Sequence, residues 1–250
     1  MPALLIVCNW KMYFFYKQAH TWLSTHQSDL VQLTKQTNKH VILCPSYDAL
    51  GEIAKLLDAK TIALGAQDCA AHINGPYTGQ VSAQSLKELG CSYVLIGHSE
   101  TRGAHKGTIE ASVLKATCAL EQNLTPIVCI GESEEKYKAG TSLKFIEEQV
   151  RPILELSKRY SGQQFIIAYE PIWSIGTSIV PKNAYIESVF TYIISRAKKI
   201  GLQRAPLLLY GGSVDEVSAP TLKQVVHLGG FLIGKASTDF QKLKKIVQLV

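Results

Sequence analysis

The chain has 250 residues, of which 46% are hydrophobic and 18% are charged, and its formal net charge is +6 at pH 7. This composition excludes a mainly disordered chain, and the scattered basic residues without interleaved aromatics do not favour nucleic-acid binding. No apolar run approaches the ~18 residues needed to span a bilayer, and the N-terminus lacks the basic segment of a secretory signal. We therefore expect a globular protein without nucleic-acid or membrane partners.

Eight short apolar runs, rich in β-favouring residues, predict eight strands. Segments with helical spacing lie between them, and a last helix is expected at Thr238–Leu249. The predicted strands are Leu4–Cys8, Val41–Cys44, Thr61–Ala66, Tyr93–Ile96, Pro126–Ile130, Phe165–Ala168, Leu207–Tyr210 and Phe231–Ile233. The earlier predicted helices are Ala19–Thr34, Ser46–Leu57, Ser82–Leu89, Ile109–Gln122, Leu143–Tyr160, Ala184–Ile200 and Ala219–His227.

Alternation of strands and helices predicts a parallel α/β sheet with the helices outside. Eight such units in a chain of this length favour a closed (β/α)8 barrel, the TIM-barrel architecture, over a doubly wound open sheet. No linker rich in Pro, Gly or Ser interrupts the pattern, so we expect a single domain over residues 1–250.

Six cysteines are spread along the chain without CxxC spacing, and several lie inside apolar runs. This pattern predicts free thiols in a reducing, cytoplasmic environment rather than disulfides or a zinc site. Since no set of His, Cys and carboxylate residues has the spacing of metal ligands, we predict no metal.

The sixth apolar run ends in Glu170, and Pro171 follows it at once. Proline cannot continue a strand ladder, so Glu170 is expected at the carboxyl end of a buried strand. Burial there would raise the carboxyl pKa and give a stronger general base. Ile172–Ser178 would form a lid over a reacting ligand. The alternative is a solvated glutamate followed by an ordinary loop.

Polar and small residues follow several other strands, and in a barrel these positions converge on one face. Lys11 can supply a cation and His98 can polarise a carbonyl oxygen, although a solvated lysine and a packing histidine are the simpler interpretations. Gly211–Ser213 and Gly234–Lys235 can direct backbone N–H groups at a phosphate. Together they indicate proton transfer beside a carbonyl of a small phosphorylated molecule, through an enediolate.

These residues resemble the triosephosphate isomerase family, and the matching motifs occur in family order along nearly the whole chain. They are Asn9–Met12, Gly65–Gln67, Tyr77–Gly79, Gly97–Glu100, Cys129–Glu132, Ala168–Trp173, Ile175–Thr177, Tyr210–Val214 and Gly230–Gly234. The resemblance implies interconversion of dihydroxyacetone phosphate and D-glyceraldehyde 3-phosphate, a step of glycolysis and gluconeogenesis, without a cofactor.

The resemblance also implies a role for each matching residue. Glu170 would shuttle the proton and His98 would polarise the carbonyl, as the two catalytic residues. The substrate would be held by Asn9 and Lys11, with Glu100 in support, and by the backbone N–H groups of Gly176, Ser213, Gly234 and Lys235. The family is usually a homodimer, in which the loop Ile73–Gly79 would place Thr78 near the partner's Lys11.

Two departures from the family pattern bear on function. Lys235 stands where a second glycine is common, and the segment after Thr177 is shorter than is usual. They keep open the alternative of a barrel that binds a phosphorylated metabolite without turnover. Another phosphosugar enzyme, such as a Schiff-base aldolase, would need a lysine within a barrel strand, and none of the eight runs contains one.

Overall fold

The computed structural model describes residues 4–104, 107–177 and 179–250; Ser178, part of the predicted lid, is not among them. Eight parallel strands form a closed barrel in chain order, and β1 pairs with both β2 and β8. The prediction of a (β/α)8 barrel is confirmed. The strands are β1 Leu5–Asn9, β2 His40–Cys44, β3 Ala63–Ala66, β4 Tyr93–Ile96, β5 Thr125–Ile130, β6 Ile166–Tyr169, β7 Leu207–Tyr210 and β8 Leu228–Ile233.

Ten α-helices occur within the described ranges, and short 3-10 turns follow β6 and β8. The helices are α1 Tyr16–Thr37, α2 Tyr47–Leu56, α3 Ala83–Glu88, α4 Ser99–Ala104, α5 Ile109–Glu121, α6 Glu134–Lys138, α7 Ser142–Arg159, α8 Asn183–Lys199, α9 Ala219–Leu222 and α10 Phe240–Leu249.

Three helical segments differ from the predictions. Helices α4 and α6, of six and five residues, were not predicted, because neither segment has apolar residues at helical spacing. The helix predicted over Ala219–His227 ends at Leu222. His227 takes a left-handed conformation, with φ 67°, which turns the chain into β8 instead of extending the helix.

The core has two layers, and strand alternation separates them. Along β1, Leu5 and Val7 point into the barrel, whereas Ile6 and Cys8 point outward and pack beneath the helices. Burying each large aliphatic side chain contributes roughly 1.5–3 kcal/mol. All six cysteines are buried free thiols, as predicted. None of the helices described is long and apolar enough to cross a membrane.

Candidate active site

The inward alternation continues beyond the ends of the strands and decides which side chains enter the mouth of the barrel. Ile166 and Ala168 point inward on β6, so two residues further on Glu170 does the same. Asn9 follows Leu5 and Val7 on β1 in the same way. Both side chains are buried, with Glu170 only 1% exposed. The strand register therefore places these polar groups over the barrel core.

Glycines at two strand ends make room for Glu170. A Cβ at Gly131 would lie 1.7 Å from the Glu170 carbonyl oxygen, and a Cβ at Gly211 would lie 3.0 Å from Glu170 Cγ. At Gly131 only glycine lets the Glu170 backbone come this near, whereas a Cβ at Gly211 would force the Glu170 side chain to shift slightly.

A cavity of about 640 Å³ opens at the carboxyl ends of the strands. All eight residues singled out from the sequence as catalytic or substrate-binding line it. They are Asn9, Lys11, His98, Glu170, Gly176, Ser213, Gly234 and Lys235. Residues more than 200 positions apart therefore meet around one space large enough for a small ligand.

Two hydrogen-bond donors hold the Glu170 carboxylate. His98 Nε2 lies 2.9 Å from Glu170 Oε1, and the Ser99 N–H donates to Glu170 Oε2 over 3.1 Å. Both side chains of the Glu170–His98 pair are shielded from water, at 1% and 7% exposure. The two side chains are thus in direct contact.

The predicted direction of the Glu170 pKa shift is wrong for this arrangement. Burial does raise the pKa, but the contact with His98, the N–H of Ser99 and the charge of Arg102 together lower it below its ordinary value. The reason is that a carboxylate accepting hydrogen bonds beside positive charge is stabilised in its ionised form. Glu170 is therefore ionised at neutral pH in this arrangement.

The hydrogen bonds of His98 define its tautomer. The backbone N–H of Glu100, in the first turn of α4, points at His98 Nδ1 from 3.2 Å, so Nδ1 acts as acceptor. The proton of a neutral ring then lies on Nε2, which donates to Glu170. The Glu100 carboxylate is 3.7 Å from Nδ1 and favours a charged ring, but that distance is too long for a hydrogen bond. His98 therefore donates to Glu170 through Nε2.

Lys11 stands in a strained backbone conformation, with φ 48°. The Asn9 side chain accepts from its N–H at 3.0 Å, and Gln67 donates to its carbonyl oxygen at 2.8 Å, so both sides of the turn are held. Its Nζ lies 2.6 Å from Glu100 Oε1. The lysine stem also passes beside Gly234, where an added Cβ would be 3.5 Å from Lys11 Cε. The cation is fixed across the cavity mouth.

The proposed phosphate end of the cavity carries several backbone N–H groups. Those of Gly176, Gly234 and Lys235 donate to no acceptor within the described part of the chain. The N–H of Ser213 makes only a long bond of 3.4 Å, to Ser174 Oγ, and the Ser213 hydroxyl donates to the Ser174 carbonyl oxygen at 2.6 Å. Backbone N–H groups of residues that line one cavity, three of them without an acceptor among the described residues, favour an anion there.

Sequence analysis gave no role to two residues that organise this site, although Gln67 lies in one of the matched motifs. Gln67 bridges the carbonyl oxygens of Lys11 and Cys44, at 2.8 and 2.9 Å. Ser174 joins the base of the lid to the loop after β7 through its bonds with Ser213. The alternation of side chains along β3 could have predicted that Gln67 faces the mouth of the barrel, because Ala63 and Gly65 point into the barrel two and four residues earlier. No local pattern marks Ser174, whose partners are distant in sequence.

The closed parallel barrel, with a buried carboxylate–imidazole pair at its carboxyl end, puts the chain in the class of (β/α)8-barrel enzymes. The family model described as triosephosphate isomerase matches residues 4–250. This chain belongs to the triosephosphate isomerase family.

Curated relatives agree with the family assignment. A triosephosphate isomerase from Wolbachia sp. subsp. Brugia malayi (strain TRS) is 36% identical over 248 residues, covering 99% of this chain and 98% of the relative. The Bordetella pertussis enzyme of that name is 36% identical, with 98% and 96% covered. The Aquifex aeolicus one is 32% identical, with 97% and 98% covered.

Proposed function

We propose that this chain interconverts dihydroxyacetone phosphate and D-glyceraldehyde 3-phosphate, with Glu170 as the base and His98 as the electrophile. One observation carries the proposal: the Glu170 carboxylate and the protonated Nε2 of His98 are 2.9 Å apart in a cavity that also holds Lys11. A base and a proton donor this close can act on neighbouring atoms of one small substrate.

The reaction requires the substrate to separate this pair. Its carbonyl oxygen takes over the Nε2–H of His98, and the freed carboxylate of Glu170 faces the adjacent carbon. Loss of the His98 contact removes a large part of what lowers the Glu170 pKa, whereas burial, which raises it, persists. The carboxylate therefore becomes a stronger base once substrate is bound.

Proton abstraction leaves an enediolate, whose oxygen carries the electron pair. The Nε2–H of His98 and the ammonium group of Lys11 stabilise that charge from fixed positions. The hydroxyl proton moves from one enediolate oxygen to the other through Nε2 of His98, which gives its proton to the charged oxygen and takes the proton of the neighbouring hydroxyl. Glu170 returns the abstracted proton to the neighbouring carbon, and the two transfers together complete the isomerisation. The N–H groups of Gly176, Ser213, Gly234 and Lys235 hold the phosphate, and the lid excludes water from the intermediate.

The test is to incubate purified protein with D-glyceraldehyde 3-phosphate and to follow formation of dihydroxyacetone phosphate with glycerol-3-phosphate dehydrogenase and NADH. In heavy water we expect deuterium at the carbon that receives the proton, because a carboxylic acid exchanges with solvent. Conversion should survive dialysis against a chelator, since we propose no metal or cofactor. Binding of glycerol 3-phosphate without any conversion would instead establish a non-catalytic binding barrel.

We also infer that the whole chain forms one domain and works in the cytoplasm as a homodimer. Pairing of β1 with β8 supports the single domain, since the two ends of the chain close one barrel. Large apolar side chains are exposed beside the cavity, among them Met12 at 89% and Phe15 at 78%, and these would be covered by a second copy.

Sedimentation tests the assembly. The native protein should have twice the 27.5 kDa mass of the chain, and Phe15→Glu should shift it toward the monomer because the interface would have to bury a charge. A native monomer would contradict the proposed docking of Thr78 near the partner's Lys11.

A further inference from the structure

The first turn of α4 contacts both predicted catalytic side chains through its backbone. The N–H of Ser99 donates to Glu170 Oε2 over 3.1 Å, and the N–H of Glu100 points at His98 Nδ1 from 3.2 Å. The N–H of Arg102 closes the turn by donating to the His98 carbonyl oxygen at 3.0 Å. The orientation of both side chains therefore depends on where this turn lies.

The side chain of Arg102 ties the same turn to the barrel. Its Nη1 donates to the carbonyl oxygen of Cys129, on β5, over 2.5 Å, and the contact is partly shielded from water. A hydrogen bond from a charged donor is stronger than one between neutral groups. Because α4 has only six residues, its own hydrogen bonds do little to fix it in place. The bond from Arg102 therefore matters for the position of the helix.

The Cys129 carbonyl oxygen is a rigid point of attachment close to both catalytic residues. Cys129 is fully buried, and a Cβ added at Gly97, just before the catalytic histidine, would lie 3.7 Å from its carbonyl oxygen. The next carbonyl oxygen along β5, that of Ile130, accepts from the N–H of Glu170 at 2.7 Å. Arg102 thus joins α4 to the strand that supports the predicted base.

We propose that Arg102 is a positioning residue for the isomerisation: its bond to the Cys129 carbonyl oxygen fixes the first turn of α4, which orients His98 and Glu170. The inference rests on the proposed function, in which these two side chains act on one substrate. Arg102 does not line the cavity, so it acts through the groups that it holds.

Arg102→Met keeps an unbranched side chain but removes the donor and the charge. Without the bond the first turn of α4 can shift, and a displacement of about 1 Å can cost about 10²-fold in rate. We expect kcat for D-glyceraldehyde 3-phosphate to fall roughly 10- to 100-fold. KM and the affinity for glycerol 3-phosphate should stay within about 3-fold of native, because the proposed phosphate site lies on other loops.

Two variants serve as controls. Arg102→Lys retains a charged donor for the same carbonyl oxygen and should recover at least about 3-fold of the lost kcat, but not all of it, because an ammonium group lacks the planar fork. Arg151→Met makes the same substitution on the outer face of α7, where the arginine is exposed and pairs with Glu155, and should keep native kcat.

The assay conditions isolate the bond from the charge. The charge of Arg102 is the smallest of the named causes that lower the Glu170 pKa. At pH 8 a glutamate is ionised with or without that charge, so assays at this pH report the position of α4. Thermal unfolding shows whether each variant is folded at the assay temperature. If Arg102→Met is not, Arg102→Gln, whose side chain is two bonds shorter, replaces it with the same expected results.

The ring nitrogens of His98 report on its surroundings without turnover. A 15N NMR spectrum of protein labelled at histidine gives their shifts, and His98→Gln identifies the signals of His98 among the seven histidines. Because Nδ1 accepts from Glu100 and Nε2 donates to Glu170, a displaced α4 should move both signals. We expect this change in Arg102→Met and native signals in Arg151→Met.

The two kinds of measurement separate this inference from the proposed function. If the native protein does not isomerise the substrate, the proposed function fails, and the His98 signals still decide whether Arg102 positions the site. Native kcat or native His98 signals in a folded Arg102→Met would overturn the inference. A rise in KM as large as the fall in kcat would also overturn it, and so would Arg102→Lys without any recovery, because the bond to Cys129 would then not be the cause.

Discussion

Replacing Glu170 by glutamine keeps the size of the side chain but removes its charge and one of its two hydrogen bonds. In the native site both neighbours are donors, His98 Nε2–H to one oxygen and Ser99 N–H to the other. A glutamine side chain offers one oxygen and one NH₂ group. Either His98 or Ser99 must therefore face another donor across a distance of about 3 Å.

The structure allows the two effects of Glu170→Gln to be separated. An unpaired donor at a buried site costs about 1–3 kcal/mol of stability, which a barrel of this size should tolerate. Loss of the general base should lower kcat by about 10²- to 10⁴-fold, or roughly 3–5 kcal/mol of activation free energy. Glu170→Asp keeps a base but retracts it by about one bond length, and should cost about 10²-fold.

The assay follows isomerisation of D-glyceraldehyde 3-phosphate. The protein is purified from a host that lacks its own isomerase, so that contaminating host enzyme does not set the lowest rate that can be measured. Glu216→Gln is a matched control, because Glu216 also lines the cavity but touches none of the proposed reacting groups. It should retain native activity. If Glu170→Gln keeps kcat within 10-fold of native while folded, Glu170 is not the base.

Three further predictions concern the scaffold. Gly131→Ala should destabilise the fold by about 3 kcal/mol or more, because the added Cβ would overlap a backbone oxygen. Gly51→Ala, inside α2, should stabilise the fold by about 0.5–1 kcal/mol, because the nearest atom to its Cβ is 3.8 Å away. Thermal unfolding measures both changes. The Asp215 carboxylate accepts hydrogen bonds from the backbone N–H groups of Val217 and Ser218. Hydrogen bonds to the carboxylate outweigh the effect of burial and hold the pKa of Asp215 below 3.8. Asp215→Ala should therefore lower the free energy of unfolding by about 1 kcal/mol at pH 7. That gap, measured by urea unfolding, should persist above pH 3.8 and close as the pH falls through the lower folded pKa; a constant gap would show that the charge is not responsible. Gln67→Leu should raise KM and lower kcat by releasing the turn at Lys11, and unchanged kinetics in a folded variant would argue against that support.

The pattern of short apolar runs was sufficient to predict the barrel, since eight buried strands separated by helical segments have few other ways to pair. The same pattern located the site, because parallel strands bring the residues after their carboxyl ends together. Local sequence could not predict α6, which is five residues long, although its Tyr137 contacts Trp173 in the lid.

The sequence alone determines which residues follow each strand. It therefore also determines the available functional groups, which are a carboxylate, an imidazole, an ammonium group and the backbone of glycine-rich turns. Only the tertiary structure decides how these groups modify one another. Glu170 illustrates the difference: burial by itself raises its pKa, yet the donors from His98 and Ser99 lower it, and both lie about 70 residues away along the chain. Electrostatic interactions depend on distances in space, and those distances exist only once the barrel has closed.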